Sequence, residues 1–196
     1  MSTDAAAAQG VPPPPPFNFT TDPSVAKFAV PMKQYLDANP QFDGLCVGAL
    51  VFNATNRILL IQRAAHDSMP SKWEVPGGAC DYEDETILVS VARELWEEAR
   101  LTASRVGELV PCGAEEGLII FSRRQRRYCK YSFVVHVDEG QEVKLDPNEH
   151  EAFLWATEEE CRAGKVGETE VRFTFKEQKD SILEGFRMRK EGNLGK

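Results

Sequence analysis

The chain has 196 residues, of which 42% are hydrophobic and 28% charged, and its formal net charge is −8. This length corresponds to about one domain and is sufficient to bury a core without disulfide or metal cross-links. The acidic charge argues against general nucleic-acid binding and against attachment to an anionic membrane surface, and no stretch approaches the ~18 apolar residues of a membrane-spanning helix. The five cysteines form no C-x-x-C pair, so we expect free thiols in a reducing compartment, either the cytoplasm or the nucleus.

The N-terminal segment, residues 1–24, is rich in proline and alanine and includes the five consecutive prolines Pro12–Pro16. Such a segment has little to bury, so we predict a disordered N-terminal arm, followed by a single domain over residues 25–196. Apolar residues from Val25 to Leu36 recur at helical spacing on both sides of Pro31. This pattern predicts a short, partly helical packing segment.

Apolar runs and their periodicity outline the domain. Two runs, Leu45–Phe52 and Ile58–Gln62, flank a polar turn and predict a β-hairpin. Apolar residues at i, i+3, i+4 and i+7 then predict a helix over Thr86–Ala99. The elements predicted after it are strands at Leu109–Val110, Leu118–Phe121, Tyr128–Val137 and Ala152–Trp155, and a helix at Glu177–Met188. Strands outside both helices favour an α+β domain, an α/β/α sandwich with a mixed sheet.

Three glutamates, Glu94, Glu97 and Glu98, project from one face near the end of the first predicted helix. Their mutual repulsion costs about 0.2–0.5 kcal/mol per pair, and the helix C-terminus disfavours each anion by a further ~0.3–1 kcal/mol. A divalent cation would offset both costs, and an oxygen-only ligand set selects Mg²⁺ or Mn²⁺ over zinc. The alternative is a solvated charged face.

A glycine turn, Pro76-Gly77-Gly78, precedes this helix. Glycines allow the backbone to approach a ligand closely, and the peptide groups of such a turn can supply a carbonyl ligand or bind an anion. Together with the carboxylates, the turn predicts a loop–helix–loop site for a metal and a phosphate. The chemistry that this combination favours is phosphoanhydride hydrolysis, in which metal ions neutralise phosphate charge and activate water.

These residues resemble the signature of the Nudix hydrolases. The signature is a glycine, five residues, a glutamate, seven residues and then Arg-Glu-hydrophobic-x-Glu-Glu-x-Gly-hydrophobic. Here Glu85 is followed after seven residues by Arg93-Glu94-Leu95-Trp96-Glu97-Glu98-Ala99-Arg100-Leu101. The lead-in Trp73–Gly78 and the segment from Glu149 to Glu159 extend the resemblance over about residues 44–160, and the chain also resembles uncharacterised fungal members of the family. The resemblance implies a Nudix-like fold with a loop–helix–loop catalytic motif.

Two positions depart from the signature. Six residues instead of five separate Gly78 from Glu85, and Arg100 stands where the signature has a glycine. Glu83 and Asp84 are alternatives for the loop acid, but only Glu85 keeps the seven-residue spacing to Arg93. Arginine adopts the left-handed conformation of a helix C-cap less readily than glycine does, although a cation at that end of a helix is favourable.

The resemblance implies a metal site built on the helix. Glu97 and Glu98 would be the principal ligands of a Mg²⁺ or Mn²⁺ ion, with Glu94 as a further ligand or as the base that orients water. The carbonyl of Gly78, or that of Ala79, would complete the ligand set.

Three other residues receive roles from the same resemblance. Arg93 and Glu85 would form an ion pair that braces the loop against the helix and supports the site. Glu149 would be the distal carboxylate that some family members use as a base or as an extra ligand, and a solvated acidic loop is the alternative for it.

Basic residues are candidate phosphate contacts. Arg63 ends a strand beside the predicted site, and Lys130 lies within a strand just after a basic run at residues 123–127. Because arginine forks match phosphate oxygens, the run could bind a phosphate-rich substrate, with a solvated hairpin tip as the alternative. Arg63 and Lys130 are the predicted substrate contacts. The three histidines, including His66 and His150, are expected to be ordinary surface or strand residues.

We therefore expect a Mg²⁺-dependent pyrophosphohydrolase in which water attacks phosphorus. Its substrate would be small, a nucleoside diphosphate linked to another moiety. The basic run favours one alternative, a polyphosphate-rich substrate such as capped RNA or an inositol pyrophosphate. The loop insertion and Arg100 favour another, a catalytically weak binding or scaffold module. Family members are often dimers, so a homodimer is expected, without membrane or general nucleic-acid partners.

Overall fold

The computed structural model describes residues 14–112, 116–122 and 124–192. The larger of its sheets contains both parallel and antiparallel strand pairs. The strands of this sheet are β1 (Thr20–Thr21), β2 (Gly44–Val51), β5 (Ala103–Val110), β6 (Leu118–Phe121) and β7 (Arg127–Val137). Their order is β1-β5-β7-β2, with β6 paired to β7 outside this path. The β1–β5 and β2–β7 pairs are parallel, and the β5–β7 and β6–β7 pairs are antiparallel.

A smaller antiparallel sheet has the order β4-β3-β8 and consists of β3 (Ile58–Arg63), β4 (Trp73–Glu74) and β8 (His150–Ala156). A separate pair is formed by β9 (Lys165–Val166) and β10 (Thr169–Glu170). The strands predicted from apolar runs are all present. Most have bounds close to the expected ones, but β5 begins at Ala103, six residues before the predicted start at Leu109.

The predicted hairpin is wrong in its pairing, although both of its strands form. The turn is closed by an isolated bridge between Phe52 and Ile58 and by the Asn53 N–H, which donates to the Arg57 carbonyl (2.9 Å). Beyond this bridge β2 pairs with β7 and β3 pairs with β8, so the two strands enter different sheets. Both strands are largely buried, and a buried apolar run does not specify its partner strand.

The helices cover the sheets. They are a 3₁₀ helix (Pro23–Phe28), α1 (Met32–Ala38), α2 (Ile87–Ala99), α3 (Glu158–Ala163) and α4 (Lys176–Lys190). The apolar stripe of α2 packs with β2 and β7 in one core, and α4 packs with the smaller sheet in another. The expected α+β class, with helices packed on a mixed sheet, is confirmed. Among the described residues, no helix has both the length and the apolar character needed to cross a membrane.

Ordered structure begins within the segment that was predicted to be a disordered arm. Thr20–Thr21 pairs with β5, and the Asp22 carboxylate accepts a hydrogen bond from the Ser24 N–H (2.9 Å) and an ion pair from Arg105 (2.6 Å). The prediction of disorder up to residue 24 is therefore wrong for this stretch, because backbone pairing with a distant strand leaves no mark on composition. Residues 1–13 lie outside the described part of the chain.

Candidate active site

Local contacts fix both ends of α2, the helix that carries the predicted carboxylates. Thr86 caps its start by accepting a hydrogen bond from the Val89 N–H (3.1 Å). At its end Arg100 adopts the left-handed conformation with φ 55°. The Arg100 guanidinium stacks 4.2 Å from the centre of the Trp96 ring and donates to the Trp96 carbonyl (3.2 Å). Stacking of this kind contributes about 0.5–1 kcal/mol, which offsets part of the cost of a non-glycine residue at this position.

Glu98 points from α2 into a cleft, where the glycine turn holds it. The Gly77 N–H donates to Glu98 Oε2 (2.6 Å), and Glu98 is only 4% exposed. Gly77 has a φ of 151°, and a Cβ at this position would lie 2.2 Å from the Val47 carbonyl oxygen, so the turn requires glycine. Burial raises the pKa of Glu98 well above its ordinary value, and the nearby charges of Glu74 and Glu94 act in the same direction.

Glu94 lies beside the second glycine of the turn. A Cβ on Gly78 would come within 2.6 Å of Glu94 Oε2, so the turn leaves just enough space for this carboxylate. Burial raises the pKa of Glu94 to about 7, although the adjacent Arg93 guanidinium favours the anion. The Gly78 carbonyl accepts a hydrogen bond from the Val47 N–H (2.8 Å). Since a carbonyl oxygen has two lone pairs, one remains for the metal contact that was predicted.

Arg93 braces the loop against α2 through Asp84 and not through Glu85. Its Nε donates to Asp84 Oδ1 and its Nη2 to Asp84 Oδ2, both at 3.0 Å. Its Nη1 donates to Glu94 and to Glu97, both at 2.9 Å. Glu85 is exposed and forms no hydrogen bond or ion pair with the residues that the structure describes. The predicted Glu85–Arg93 pair is therefore wrong.

The loop geometry explains why Asp84 takes this place. Asp84 Oδ2 also accepts hydrogen bonds from Ser90 Oγ (2.7 Å) and from the Asp81 N–H (3.1 Å), which closes the loop onto the first turns of α2. Five residues separate Gly78 from Asp84, as in the family signature. The additional residue, Glu85, thus follows the acid instead of preceding it. Counting forward from the glycine, and not back from the arginine, would have identified the brace.

Glu97, one of the two predicted principal ligands, lies at the rim of the site. Its side chain is 45% exposed, and it is not among the described residues that line the cleft. Arg93 ties it to Glu94, because the same Nη1 donates to both carboxylates. A role for Glu97 as a metal ligand stays a prediction.

Asn148 and Glu149, the two residues before β8, also line the cleft. The pairing of β3 with β8 is bulged after Gln62, so that Arg63 lies opposite His150 and not opposite Glu151. Bulges are common next to active sites, where they redirect side chains. The exposed Glu149 lines the cleft, so its side chain is within the site. His150 is buried, and its imidazole lies near Glu98 and Glu74, which sequence reasoning did not foresee for an isolated histidine.

The two predicted phosphate contacts differ in their surroundings. Arg63 lines the cleft, but its guanidinium donates to Glu74 (2.5 Å), to Asp67 and to the Ser68 carbonyl (2.7 Å). It therefore holds the cleft wall together and is largely occupied. The Lys130 side chain forms no hydrogen bond or ion pair with another described residue, but its charge favours the anionic forms of the buried Glu74 and Glu98. Substrate binding by either residue stays a prediction.

Neighbouring groups stabilise the anionic form of Glu74. Burial raises the pKa of this carboxyl, but nearby His150, Lys130 and Arg63 outweigh burial and hold the pKa below its ordinary value. Glu74 thus stays anionic beside Glu98, and the two carboxylates add to the negative potential of the cleft.

The residues of this cleft fit a divalent cation. Glu94 and Glu98 are buried carboxylates whose pKa values are raised first by burial and then by neighbouring carboxylates, so a bound cation would stabilise their anionic forms. Glu98, Glu149 and His150 each offer a ligand atom, and these atoms all lie within 4.8 Å of one another. Carboxylate oxygens suit Mg²⁺ and Mn²⁺. The cleft measures about 440 Å³, enough for an ion and part of a small substrate.

Similar folds occur among solved structures. A MutT protein from Methanosarcina mazei Go1 is 25% identical, with a TM-score of 0.57, and the match covers 76% of this chain and 95% of that one. An Ap4A hydrolase from C. elegans is 18% identical, with a TM-score of 0.57, over 76% and 98% of the two chains. An ADP-ribose pyrophosphatase from Streptococcus suis is 22% identical, with a TM-score of 0.50, over 74% and 92%.

Comparison of the sequence with models of protein families identifies the family of the chain. No curated protein of similar sequence was found. The model of the NUDIX domain matches residues 43–176, which is more than half of the chain and includes the glycine turn, α2 and the Glu149–His150 wall of the cleft. The chain therefore belongs to the Nudix family and is a hydrolase that acts on phosphoanhydride bonds.

Proposed function

We propose that the protein is a Mg²⁺-dependent pyrophosphohydrolase that cleaves the diphosphate linkage of a nucleoside diphosphate joined to another moiety. One observation supports this most strongly. Glu94 and Glu98, two buried carboxylates from one helix, converge on a cleft next to a glycine turn that leaves room for them. This arrangement has a cost in free energy unless a cation occupies the cleft. Mn²⁺ is the expected substitute for Mg²⁺.

The three carboxylates of the cleft have different tasks in this proposal. Glu98, fixed by the Gly77 N–H, and Glu94, held by Arg93, would be the groups that bind the metal. The metal, when bound, neutralises charge on the diphosphate and lowers the pKa of the attacking water. Glu149 is an exposed carboxylate that lines the cleft and can accept the proton that this water releases. A buried carboxylate would accept it less readily while paired with a metal.

The placement of the basic residues supports a small, doubly phosphorylated substrate. Lys130 is available for phosphate, whereas the guanidinium of Arg127 is placed 5.4 Å from the centre of the Phe42 ring. Arg124 and Arg126 are exposed at the turn before β7 and do not line the cleft. Arg123 lies outside the described residues. These placements favour a compact substrate over capped RNA or an inositol pyrophosphate.

The cellular location and the oligomeric state of the enzyme are part of the same proposal. All five cysteines are free thiols, which supports a cytoplasmic location because reducing compartments keep thiols unpaired. A homodimer follows only from the family resemblance, and sedimentation of the purified protein tests it.

A substrate panel with isotopic product analysis tests the proposed reaction. Nucleoside diphosphate sugars, dinucleoside polyphosphates, capped RNA and inositol pyrophosphates are incubated with Mg²⁺ in H₂¹⁸O. We expect turnover of at least one nucleoside-diphosphate derivative, with one ¹⁸O atom in a product phosphate. Exclusive turnover of capped RNA or inositol pyrophosphate would refute the substrate class, and an ¹⁸O label outside phosphate would refute attack at phosphorus.

A further inference from the structure

The His150 imidazole is buried, and its contacts to Glu74 and Glu98 are longer than hydrogen bonds. Its side chain is 1% exposed. Neither Nδ1 nor Nε2 has a hydrogen-bond partner among the described residues. A buried donor or acceptor that stays unsatisfied costs about 1–3 kcal/mol, and buried imidazoles are normally hydrogen-bonded or bound to a metal. The position of this ring therefore indicates an additional binding partner.

The surroundings of His150 show where that partner would lie. Nε2 is 3.8 Å from Glu98 Oε1 and 3.6 Å from Glu74 Oε1, and both distances are too long for a hydrogen bond. The other oxygen of Glu98, Oε2, already accepts the Gly77 N–H. Oε1 is therefore the free oxygen of Glu98, and it faces the imidazole across a gap.

This gap has the dimensions of a shared ion site. Two ligands that are each about 2.1 Å from one ion lie roughly 3–4 Å apart, which brackets the 3.8 Å between Nε2 and Glu98 Oε1. The carboxylate of Glu149, the residue before His150, is close by, since one atom from each of Glu98, Glu149 and His150 lies within 4.8 Å of the other two. The bulge between β3 and β8 sets this corner of the cleft, because it places His150 opposite Arg63.

We propose that His150 is a nitrogen ligand of the divalent ion that Glu98 binds, which rests on the metal site of the proposed function. A set that mixes one imidazole with carboxylates discriminates between ions. Mg²⁺ prefers oxygen ligands, whereas imidazole suits transition metals. The site therefore binds Mn²⁺ more tightly than Mg²⁺, and the imidazole is the residue that creates the preference.

Electron spin-echo spectroscopy of the Mn²⁺-loaded native protein tests the proposal directly, because a coordinated imidazole gives a ¹⁴N coupling to Mn²⁺. We expect this coupling in the wild type and in His66→Gln, and we expect its loss in His150→Gln. His66 is the matched control, since it is an exposed imidazole at the same cleft whose Nε2 already contacts the Asn148 carbonyl oxygen (2.8 Å). The wild-type spectrum is informative even if His150→Gln fails to fold.

Titration calorimetry supplies the second measurement. We expect His150→Gln to lower the Mn²⁺ affinity by roughly 10- to 100-fold and the Mg²⁺ affinity by a smaller factor, while His66→Gln changes neither. Mn²⁺ binding without a ¹⁴N coupling, or a coupling that persists in folded His150→Gln, would overturn the role of His150 and leave the proposed function intact. If the wild type binds neither ion, with or without a substrate analogue, the proposed function itself fails.

Discussion

Replacing Asp84 with alanine removes the carboxylate that receives hydrogen bonds from Arg93, Ser90 and the Asp81 N–H. The side chains of Asp84 and Arg93 are 8% and 14% exposed, so the pair is largely buried. Breaking a buried ion pair costs about 3–5 kcal/mol. Because Arg93 keeps its contacts to Glu94 and to other acceptors, we expect a smaller loss, about 2–4 kcal/mol.

Thermal and urea unfolding of the wild type, Asp84→Ala and Glu85→Ala measure this loss of stability. For a chain of this length, the expected loss in Asp84→Ala lowers Tm by roughly 4–16 °C. Glu85→Ala is the matched control, since it removes the neighbouring acid that makes no described contact, and it should change the free energy of unfolding by less than about 0.5 kcal/mol. A larger loss in Glu85→Ala than in Asp84→Ala would refute the assignment of the brace.

The pH dependence gives an independent check on the same pair. Burial raises the pKa of Asp84, but hydrogen bonds from Arg93 and Ser90 outweigh burial and hold the pKa below its ordinary value. The stabilisation is therefore fully present above the unfolded pKa of about 3.9 and is lost as the pH falls through the folded value. The stability difference between wild type and Asp84→Ala should be largest near neutral pH and shrink below about pH 4. A difference that grows in acid would contradict this account.

Three further substitutions test the glycine turn before α2 and the C-terminal end of that helix. Gly78→Ala places a Cβ 2.6 Å from Glu94 Oε2. We therefore expect calorimetry to show at least a roughly 10-fold weaker Mn²⁺ affinity, with an unchanged circular dichroism spectrum. An unchanged affinity would show that Glu94 can move away freely. Arg100→Ala keeps the left-handed strain and loses the stacking on Trp96, so urea unfolding should show a loss of about 0.5–1 kcal/mol. Arg100→Gly also relieves the strain and should be more stable than Arg100→Ala, and the reverse order would contradict the presence of left-handed strain at this position.

Periodic patterns made the elements around the site predictable, whereas tertiary contacts decided its details. The apolar stripe of α2 fixes which face packs on the sheet, so the helical spacing alone places Glu94 and Glu98 on one side of the helix. The glycine turn was predictable for a similar reason, because only glycine allows such a close approach of the backbone at Gly77.

The remaining features depend on contacts that the sequence does not encode locally. Adjacent acids such as Asp84 and Glu85 have nearly the same position along the chain, and the turn geometry alone selects the one that meets Arg93. His150 is buried beside a bulge that breaks the register of β3 with β8. The pairing of β2 with β7 is equally non-local, and the hairpin prediction failed for that reason.

The most direct test of the central claim compares Mg²⁺-dependent turnover of the best substrate in wild type, Glu98→Gln and Glu85→Gln. Glu98 is the buried carboxylate fixed by the Gly77 N–H, and Glu85 is an exposed acid outside the cleft. We predict that Glu98→Gln, folded by circular dichroism, loses at least about 100-fold in kcat, in the range typical for loss of a preorganised electrostatic group, while Glu85→Gln keeps wild-type turnover. Full Mg²⁺-dependent hydrolysis by Glu98→Gln would contradict the assignment of the metal site to α2.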